Sequence, residues 1–248
     1  MKIAIITAMP QETKAVLRIV DTSHRADLEG LRGARCGLDG HDILHVEAGM
    51  GFDNAARAAQ RVIAAFEPEL IVSMGLCGGV APQLRVGDVV VAVEQCIVTA
   101  TGVENVPVAV PAACLNFIAR RMALGERVFG GLFAATPVIT PKRLVAALLP
   151  PQAPCPVVEM ESAAIALVAV EHRIPFAAIR TVSDPADEEL DFSLDEFCDD
   201  RLRIRPHKVA LTILRKPGII PQLIRLARNS SVAIAALSRA LQGFLSTL

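Results

Sequence analysis

Three carboxylate side chains follow short apolar runs of this 248-residue sequence, and such runs predict β-strands. In an open α/β sheet, ligands gather at the carboxyl ends of the strands, so acids placed there are expected to converge on one site. Carboxylates that converge can act as general acid and general base and can accept hydrogen bonds from a substrate. The three acids are Glu12, Glu161 and Asp184, which follow the runs 2–7, 157–158 and 176–182.

Each of these acids also has a structural interpretation that involves no chemistry. Glu161 can stabilise the first turn of a helix through the helix dipole. Asp184 can cap a turn, and Glu12 can lie in solvent on the surface of a helix. The residue types and their spacing leave both interpretations open for each acid.

Two further motifs could bind a ligand or an ion. Gly49-Met50-Gly51 precedes a predicted helix, where backbone N–H groups can approach a ligand, although the third glycine of a dinucleotide fingerprint is missing. His41 and His45 have the four-residue spacing of a zinc-binding helix. Their segment alternates as a strand, in which that spacing is roughly 13 Å, so we predict no metal site.

Strand-like and helix-like segments alternate along the chain. This alternation predicts an α/β fold with a central, mostly parallel or mixed sheet and helices on both faces, a three-layer αβα sandwich. Asp39-Gly40 predicts a hairpin turn between two strands. The predicted strands are 2–7, 31–38, 42–48, 70–75, 88–93, 157–158 and 176–182, and the predicted helices are 11–20, 53–66 and 159–172.

The composition excludes several classes of protein. A hydrophobic content of 52% supports a large core and excludes general disorder. No charge-free run reaches the roughly 18 residues of a membrane span, and the first apolar run is too short for a signal peptide. The six cysteines form no CxxC pair. Without Trp, Tyr or a recognition motif, nucleic-acid binding is not favoured, and we predict a cytoplasmic protein.

The charges are distributed unevenly along the chain. Residues 1–200 hold 16 basic and 26 acidic side chains, whereas residues 201–248 hold nine basic and no acidic ones. We predict a main domain at 1–200 and, at 201–248, a basic and apolar helical extension of the same domain, broken into pieces by Pro217 and Pro221. Such an extension can lie on an anionic membrane surface, dock against the acidic run 184–200, or form an oligomer interface.

Several segments resemble the purine nucleoside phosphorylase and nucleosidase superfamily, especially the methylthioadenosine/S-adenosylhomocysteine nucleosidases. The resemblance spans about residues 1–200. The segments that carry it are KIAIITAMPQE at 2–12, GMGFDNAARAA at 49–59, GLCGGVAPQLRVGDVVVA at 75–92, VEMESAA at 158–164 and SDPADEELDFSLDEF at 183–197.

The resemblance implies the nucleoside phosphorylase type of fold and cleavage of the N-glycosidic bond of an adenine nucleoside, with no metal or organic cofactor. Asp184 would protonate N7 of the departing purine, and Glu12 would activate the attacking water. Glu161 would accept hydrogen bonds from the ribose hydroxyls. Further substrate contacts are implied for Met160, Met50, Ser183, Glu159, Gly78 and Ile139.

The attacking nucleophile is either water or phosphate as a co-substrate. Hexameric phosphorylases hold phosphate with an Arg and with a Ser or Thr, at positions that are Ser73 and Leu76 in this chain. Because those donors are missing and an unpaired anion is poorly held, the residues favour water. Arg57 and Arg180 are the remaining candidates for contacts to phosphate.

Two departures from the nucleosidases concern the substrate. The segment from Val98 to Pro111 is shorter, and the purine-stacking Phe appears as Val138 or Ile139. With the cationic extension, these features resemble the hopanoid-associated phosphorylases, whose substrate is an adenosyl compound with a bulky apolar 5′ substituent. A compound of this kind is the leading predicted substrate. The enzyme is then expected to be peripheral to the inner membrane surface. The alternative substrate is methylthioadenosine or S-adenosylhomocysteine. The alternative function of another class is a non-catalytic module that binds a nucleoside or a partner. We also expect a homo-oligomer.

Overall fold

A computed structural model describes residues 1–20, 23–28, 30–188, 194–197, 199 and 205–248 of the chain. Ten strands and seven α-helices lie within these ranges, together with short 3-10 helices at Leu194–Phe197 and Pro217–Ile219. In chain order they are β1 Lys2–Thr7, α1 Pro10–Leu17, β2 His24–Leu28, β3 Leu31–Leu38, β4 His41–Glu47, α2 Phe52–Phe66, β5 Leu70–Gly79, β6 Val89–Thr99, β7 Gly102–Asn105, α3 Ala112–Ala123, β8 Val128–Ala135, α4 Lys142–Leu148, β9 Val157–Glu159, α5 Ser162–Glu171, β10 Phe176–Asp184, α6 Pro206–Arg215 and α7 Ile220–Leu245.

The strands form one mixed sheet in the order β10-β6-β8-β9-β5-β1-β4-β3-β2, with β7 paired to β6. β10 pairs with β5 as well as with β6, so β5, β10, β6, β8 and β9 close into a ring at one end of the sheet. β1, β4, β5 and β10 run parallel. Their carboxyl ends therefore meet at one edge, which is where α/β folds place ligands.

Two hydrophobic clusters cover the two faces of the sheet. α2 and α5 pack on one face, and α1, α3 and α7 pack on the other. β5 and β10 are buried along almost their whole length because helices cover both of their faces. The predicted three-layer α/β fold is confirmed.

Several predicted boundaries differ from the structure. The hairpin at Asp39-Gly40 is confirmed, with both residues at positive φ, but β2, β7 and β8 were not predicted. The helix predicted from Glu159 begins at Ser162, because β9 continues through Glu159.

The C-terminal extension is less fragmented than its prolines predict. Pro221 does not break a helix; it lies in the first turn of the 26-residue α7, where proline has no intrahelical N–H bond to lose. The second half of α7 is buried against β10, where Thr181 Oγ1 donates to the carbonyl of Ala233 at 3.0 Å. Ion pairs also join this segment to the acidic run, through Arg225–Glu188 and Lys216–Glu196. Among the described helices, none is both long enough and apolar enough to cross a membrane.

Candidate active site

The carboxyl half of β5 lies between two of the three predicted acids. The Leu76 N–H donates to Glu12 Oε1 at 2.8 Å. Two residues further along, a Cβ placed on Gly78 would lie 3.0 Å from Asp184 Oδ2. Since a strand rises about 3.3 Å per residue, these two carboxylates flank one short stretch of backbone.

Glu12 is held on α1 by three backbone donors. Its Oε2 accepts hydrogen bonds from the N–H groups of Ala8 and Met9, both at 2.9 Å. Met9 is the N-cap of α1 and Glu12 is the third residue of the helix, from which a glutamate can reach back to the N-cap N–H. The glycine at position 75 leaves room for the Glu12 carboxylate, because a Cβ there would lie only 2.5 Å from Glu12 Oε1.

Burial sets the proton affinity of Glu12. The side chain is almost fully buried, and this desolvation raises its pKa, while Arg180 and the three N–H donors oppose the rise. A carboxylate whose pKa is raised is a stronger base than an ordinary one and is suited to accept a proton. The interpretation of Glu12 as a solvated helix residue is therefore wrong.

Glu161 links the loop that follows β4 to the start of α5. It is the N-cap residue of α5, and its Oε1 accepts a hydrogen bond from the N–H of Gly51 at 2.8 Å. The Gly49-Met50-Gly51 loop thus offers backbone N–H to a carboxylate of the chain itself. Burial, followed by repulsion from Glu159, raises the pKa of Glu161 to about 7.

Arg180 lies beneath these acids and is itself fully buried. Its Nη2 lies 2.7 Å from Glu159 Oε2, 3.8 Å from Glu161 Oε2 and 3.0 Å from Ser73 Oγ. Glu159 Oε2 also accepts from the N–H groups of Glu161 and Ser162. The Glu159–Arg180 pair therefore supports Glu161 from within the core, while Glu159 Oε1 and Arg180 Nε have no hydrogen-bond partner among the described residues.

Asp184 ends β10 and has a partner on each carboxylate oxygen. Ser183 Oγ donates to Oδ1 at 2.7 Å, and Lys142 Nζ donates to Oδ2 at 2.9 Å. Burial raises the pKa of Asp184, whereas the charge and the hydrogen bond of Lys142 oppose the rise. About a quarter of the Asp184 side chain is exposed, so the carboxyl is open to a ligand on one side.

The other residues proposed for the site lie at varied depths. Met50, Met160, Gly78 and Ile139 are half-buried, and Ser183 is buried. Arg57 is exposed on α2. Within the described ranges, no group of three or more His, Cys, Asp and Glu side chains is arranged to hold a metal ion.

Lys142 and Gly75 were missed by the sequence analysis. Lys142 is the first residue of α4, and nothing in its neighbourhood in the sequence connects it to an acid 42 residues away. Gly75 stands inside a quoted motif, but its close approach to Glu12 depends on how α1 packs against β5.

Comparison with known proteins places this chain among nucleoside-cleaving enzymes. The profile of the phosphorylase superfamily matches residues 2–215. A 5′-methylthioadenosine/S-adenosylhomocysteine nucleosidase of Bacillus thuringiensis (strain Al Hakam) is 30% identical over 213 residues, which cover 80% of this chain and 92% of the relative.

Solved structures show the same fold. The nucleosidase of the same name from Neisseria meningitidis, in complex with methylthio-immucillin-A, aligns with a TM-score of 0.75 at 23% identity, over 100% of this chain and 99% of that one. Futalosine hydrolase of Helicobacter pylori aligns with a TM-score of 0.75 at 15% identity, over 100% and 98%. The family match and the sequence relatives together lead to one conclusion: this chain belongs to the phosphorylase superfamily.

Proposed function

We propose that this protein hydrolyses the N-glycosidic bond of an adenine nucleoside, in the manner of a methylthioadenosine/S-adenosylhomocysteine nucleosidase. The observation that carries the proposal is the grouping of Glu12 and Asp184 on either side of the carboxyl half of β5, with Glu161 anchored close by through Arg180. The names of the curated relatives agree with this chemistry.

Each acid has a separate part in the proposed reaction. As the C1′–N9 bond breaks, positive charge develops on the ribose and negative charge on the purine. Glu161 accepts hydrogen bonds from the ribose hydroxyls and stabilises that positive charge. Glu12 takes a proton from the water that attacks C1′, and Asp184 delivers a proton to N7 of the leaving purine.

The surroundings of Arg180 favour water over phosphate as the nucleophile. Arg180 Nη2 already contacts Ser73 Oγ and lies near two carboxylates, so much of the guanidinium charge is balanced within the chain. Three carboxylates near one site also repel a dianion, whereas neutral water is unaffected.

A product analysis tests this function. The protein is incubated with methylthioadenosine, S-adenosylhomocysteine, adenosine and a 5′-alkyl adenosine, each with and without phosphate. We expect adenine and a free ribose derivative at the same rate in both conditions. Release of a ribose 1-phosphate only when phosphate is present would show phosphorolysis, and adenine binding without turnover of any of the four would favour the non-catalytic binding module.

An exposed apolar face favours a second substrate class, an adenosyl compound with a bulky apolar 5′ substituent. Leu211 and Leu214 on α6 and Ile224 on α7 are 46%, 80% and 65% exposed, and Arg215 and Arg228 are exposed beside them in the sequence. Such a face can bring the enzyme to an anionic membrane that carries a lipid-linked nucleoside. Preference for the 5′-alkyl adenosine over methylthioadenosine, with co-sedimentation on phosphatidylglycerol vesicles, would support this class.

A homo-oligomer is also expected. α3 exposes Leu115 and Met122, which lie seven residues apart and so on one face, and Leu124 is exposed just after the helix. A second copy of the chain could cover this apolar face. The molar mass in solution, measured by light scattering with wild type and Met122→Glu, tests the expectation.

A further inference from the structure

Lys142 makes a buried ion pair with the acid that the proposed function uses to protonate the purine. The residue is only 8% exposed, and its Nζ donates to Asp184 Oδ2 at 2.9 Å and to the carbonyl of Pro185. Its aliphatic stem packs over β5, since Cδ would lie 3.2 Å from a Cβ on Gly78. These contacts hold the Lys142 ammonium in one position beside Asp184.

The contact with Lys142 determines whether Asp184 is ionised or protonated. A lysine ammonium has three donors and no acceptor, so the oxygen that faces it must accept. Ser183 Oγ has one proton and lies 2.7 Å from the other carboxylate oxygen and 3.2 Å from the carbonyl of Cys77, so the shorter contact, to Asp184, takes that proton. Asp184 in this arrangement is therefore a carboxylate, and it does not itself carry the proton that the purine needs.

The other charges near Asp184 do not supply that proton. Glu188 is an acid that repels the carboxylate and is itself paired with Arg225 on α7. Cys77 on β5 is fully buried, and its thiol pKa is raised well above the usual value by burial, so it keeps its proton. Arg180 is held by Glu159, and a guanidinium does not release a proton in proteins. Of these groups, the Lys142 ammonium is the one that carries protons and also donates a hydrogen bond to Asp184.

We propose that Lys142 holds the proton that Asp184 passes to the purine, so that Lys142 is a positioning residue acting through Asp184. This inference rests on the proposed function. When the C1′–N9 bond breaks, its electron pair stays on the purine, and N7 takes a proton through the Asp184 carboxyl. That proton comes from Lys142 Nζ, which transfers it to Asp184 Oδ2 and is left as a neutral amine, while Asp184 is again a carboxylate once N7 has taken the proton. Solvent restores the ammonium after adenine leaves, and the proton that Glu12 took from water returns to solvent, so protons balance over the cycle.

The conservative substitution separates proton delivery from a structural ion pair. Lys142→Arg keeps the positive charge beside Asp184 but holds its proton permanently. We expect this variant to melt close to wild type while kcat for methylthioadenosine falls at least about tenfold, toward the effect of losing a general acid. A purely structural role would instead be rescued by arginine. Lys2→Arg, at the opposite end of the sheet, is the matched control.

The pH profile gives a second, independent readout. In Lys142→Met, Asp184 must carry the proton itself, so we expect the alkaline limb of kcat to move to lower pH by at least about one unit relative to wild type. If Lys142→Arg fails to fold, the pH profile of Lys142→Met tests the inference by itself.

The possible results separate the two proposals. Wild-type kcat in Lys142→Arg, or an unmoved alkaline limb in Lys142→Met, overturns the inference while the proposed function stands. A wild-type protein that cleaves none of the nucleosides overturns the proposed function, and the inference with it.

Discussion

Replacing Glu12 by glutamine tests the assignment of the general base. Glu12→Gln keeps the shape of the side chain and removes its ability to accept a proton from water. The loss of a general base typically lowers turnover by at least about a hundredfold, which corresponds to about 2.7 kcal/mol of activation free energy. We therefore expect adenine release from methylthioadenosine to fall by at least that factor.

The hydrogen bonds of Glu12 give the accompanying change in stability. The carboxylate accepts from Ala8 and Met9 through Oε2 and from Leu76 through Oε1. A glutamine has one oxygen, so at least one buried N–H faces the amide NH₂ and loses its acceptor, which costs about 1–3 kcal/mol. The neutral amide also avoids the desolvation that raises the pKa of Glu12, and this gain offsets part of the cost. We expect a net loss of about 1–2 kcal/mol in the free energy of unfolding and a Tm lower by about 2–8 °C.

The assay measures adenine release and thermal unfolding on the same preparations. Glu69→Gln is the matched control, because Glu69 is exposed and lies beside Lys2 at the amino end of the sheet. The control should keep both wild-type turnover and wild-type Tm. If Glu12→Gln kept more than about a tenth of wild-type turnover, Glu12 would not be the base.

Three other changes test the rest of the site. Asp184→Asn should lower turnover at least about a hundredfold and should also lower the Tm, because the buried Lys142 ammonium loses its opposite charge; an active variant would remove Asp184 from acid catalysis. Gly75→Ala should displace Glu12, because the new Cβ would lie 2.5 Å from Oε1, and should reduce turnover, whereas Gly37→Ala, whose Cβ would have 3.8 Å of space, should be active. The pKa of Glu161 is raised from 4.5 to about 7, so the protonated side chain stabilises the folded state. This contribution to the free energy of unfolding is complete below pH 4.5 and is lost as the pH rises through 7. Relative to Glu161→Gln, the wild type should thus lose up to about 3 kcal/mol of unfolding free energy between pH 4.5 and 8 in urea titrations, and a constant difference would contradict the raised pKa.

Local sequence pattern was sufficient for the elements that carry the acids. β1, β5 and β10 are continuous apolar runs, and such runs are found where helices cover both faces of a sheet. The turn at Asp39-Gly40 follows from residues that tolerate positive φ. The resemblance to nucleosidases added the pairing of each acid with a chemical task, which composition and spacing do not contain.

The remaining features depend on contacts between distant parts of the chain. β8 contains Gly130 and Gly131, which weaken a strand pattern, yet it pairs with β6 because the sheet closes into a ring there. Arg180 pairs with Glu159, which is 21 residues away in the sequence, and nothing in the local pattern predicts this contact. Lys142 reaches Asp184 only because the start of α4 lies near the end of β10.

The late position of α7 in the sequence has a consequence for biosynthesis. α7 contributes Leu237, Leu241 and Phe244 to the cluster that covers β1, β5 and β10. Until these residues have been added, only α1 and α3 can cover that face of the sheet, and exposed apolar surface of this kind aggregates readily. Chains that end before about residue 230 therefore lack this cover, and native packing of that face can finish only after α7 has been synthesised.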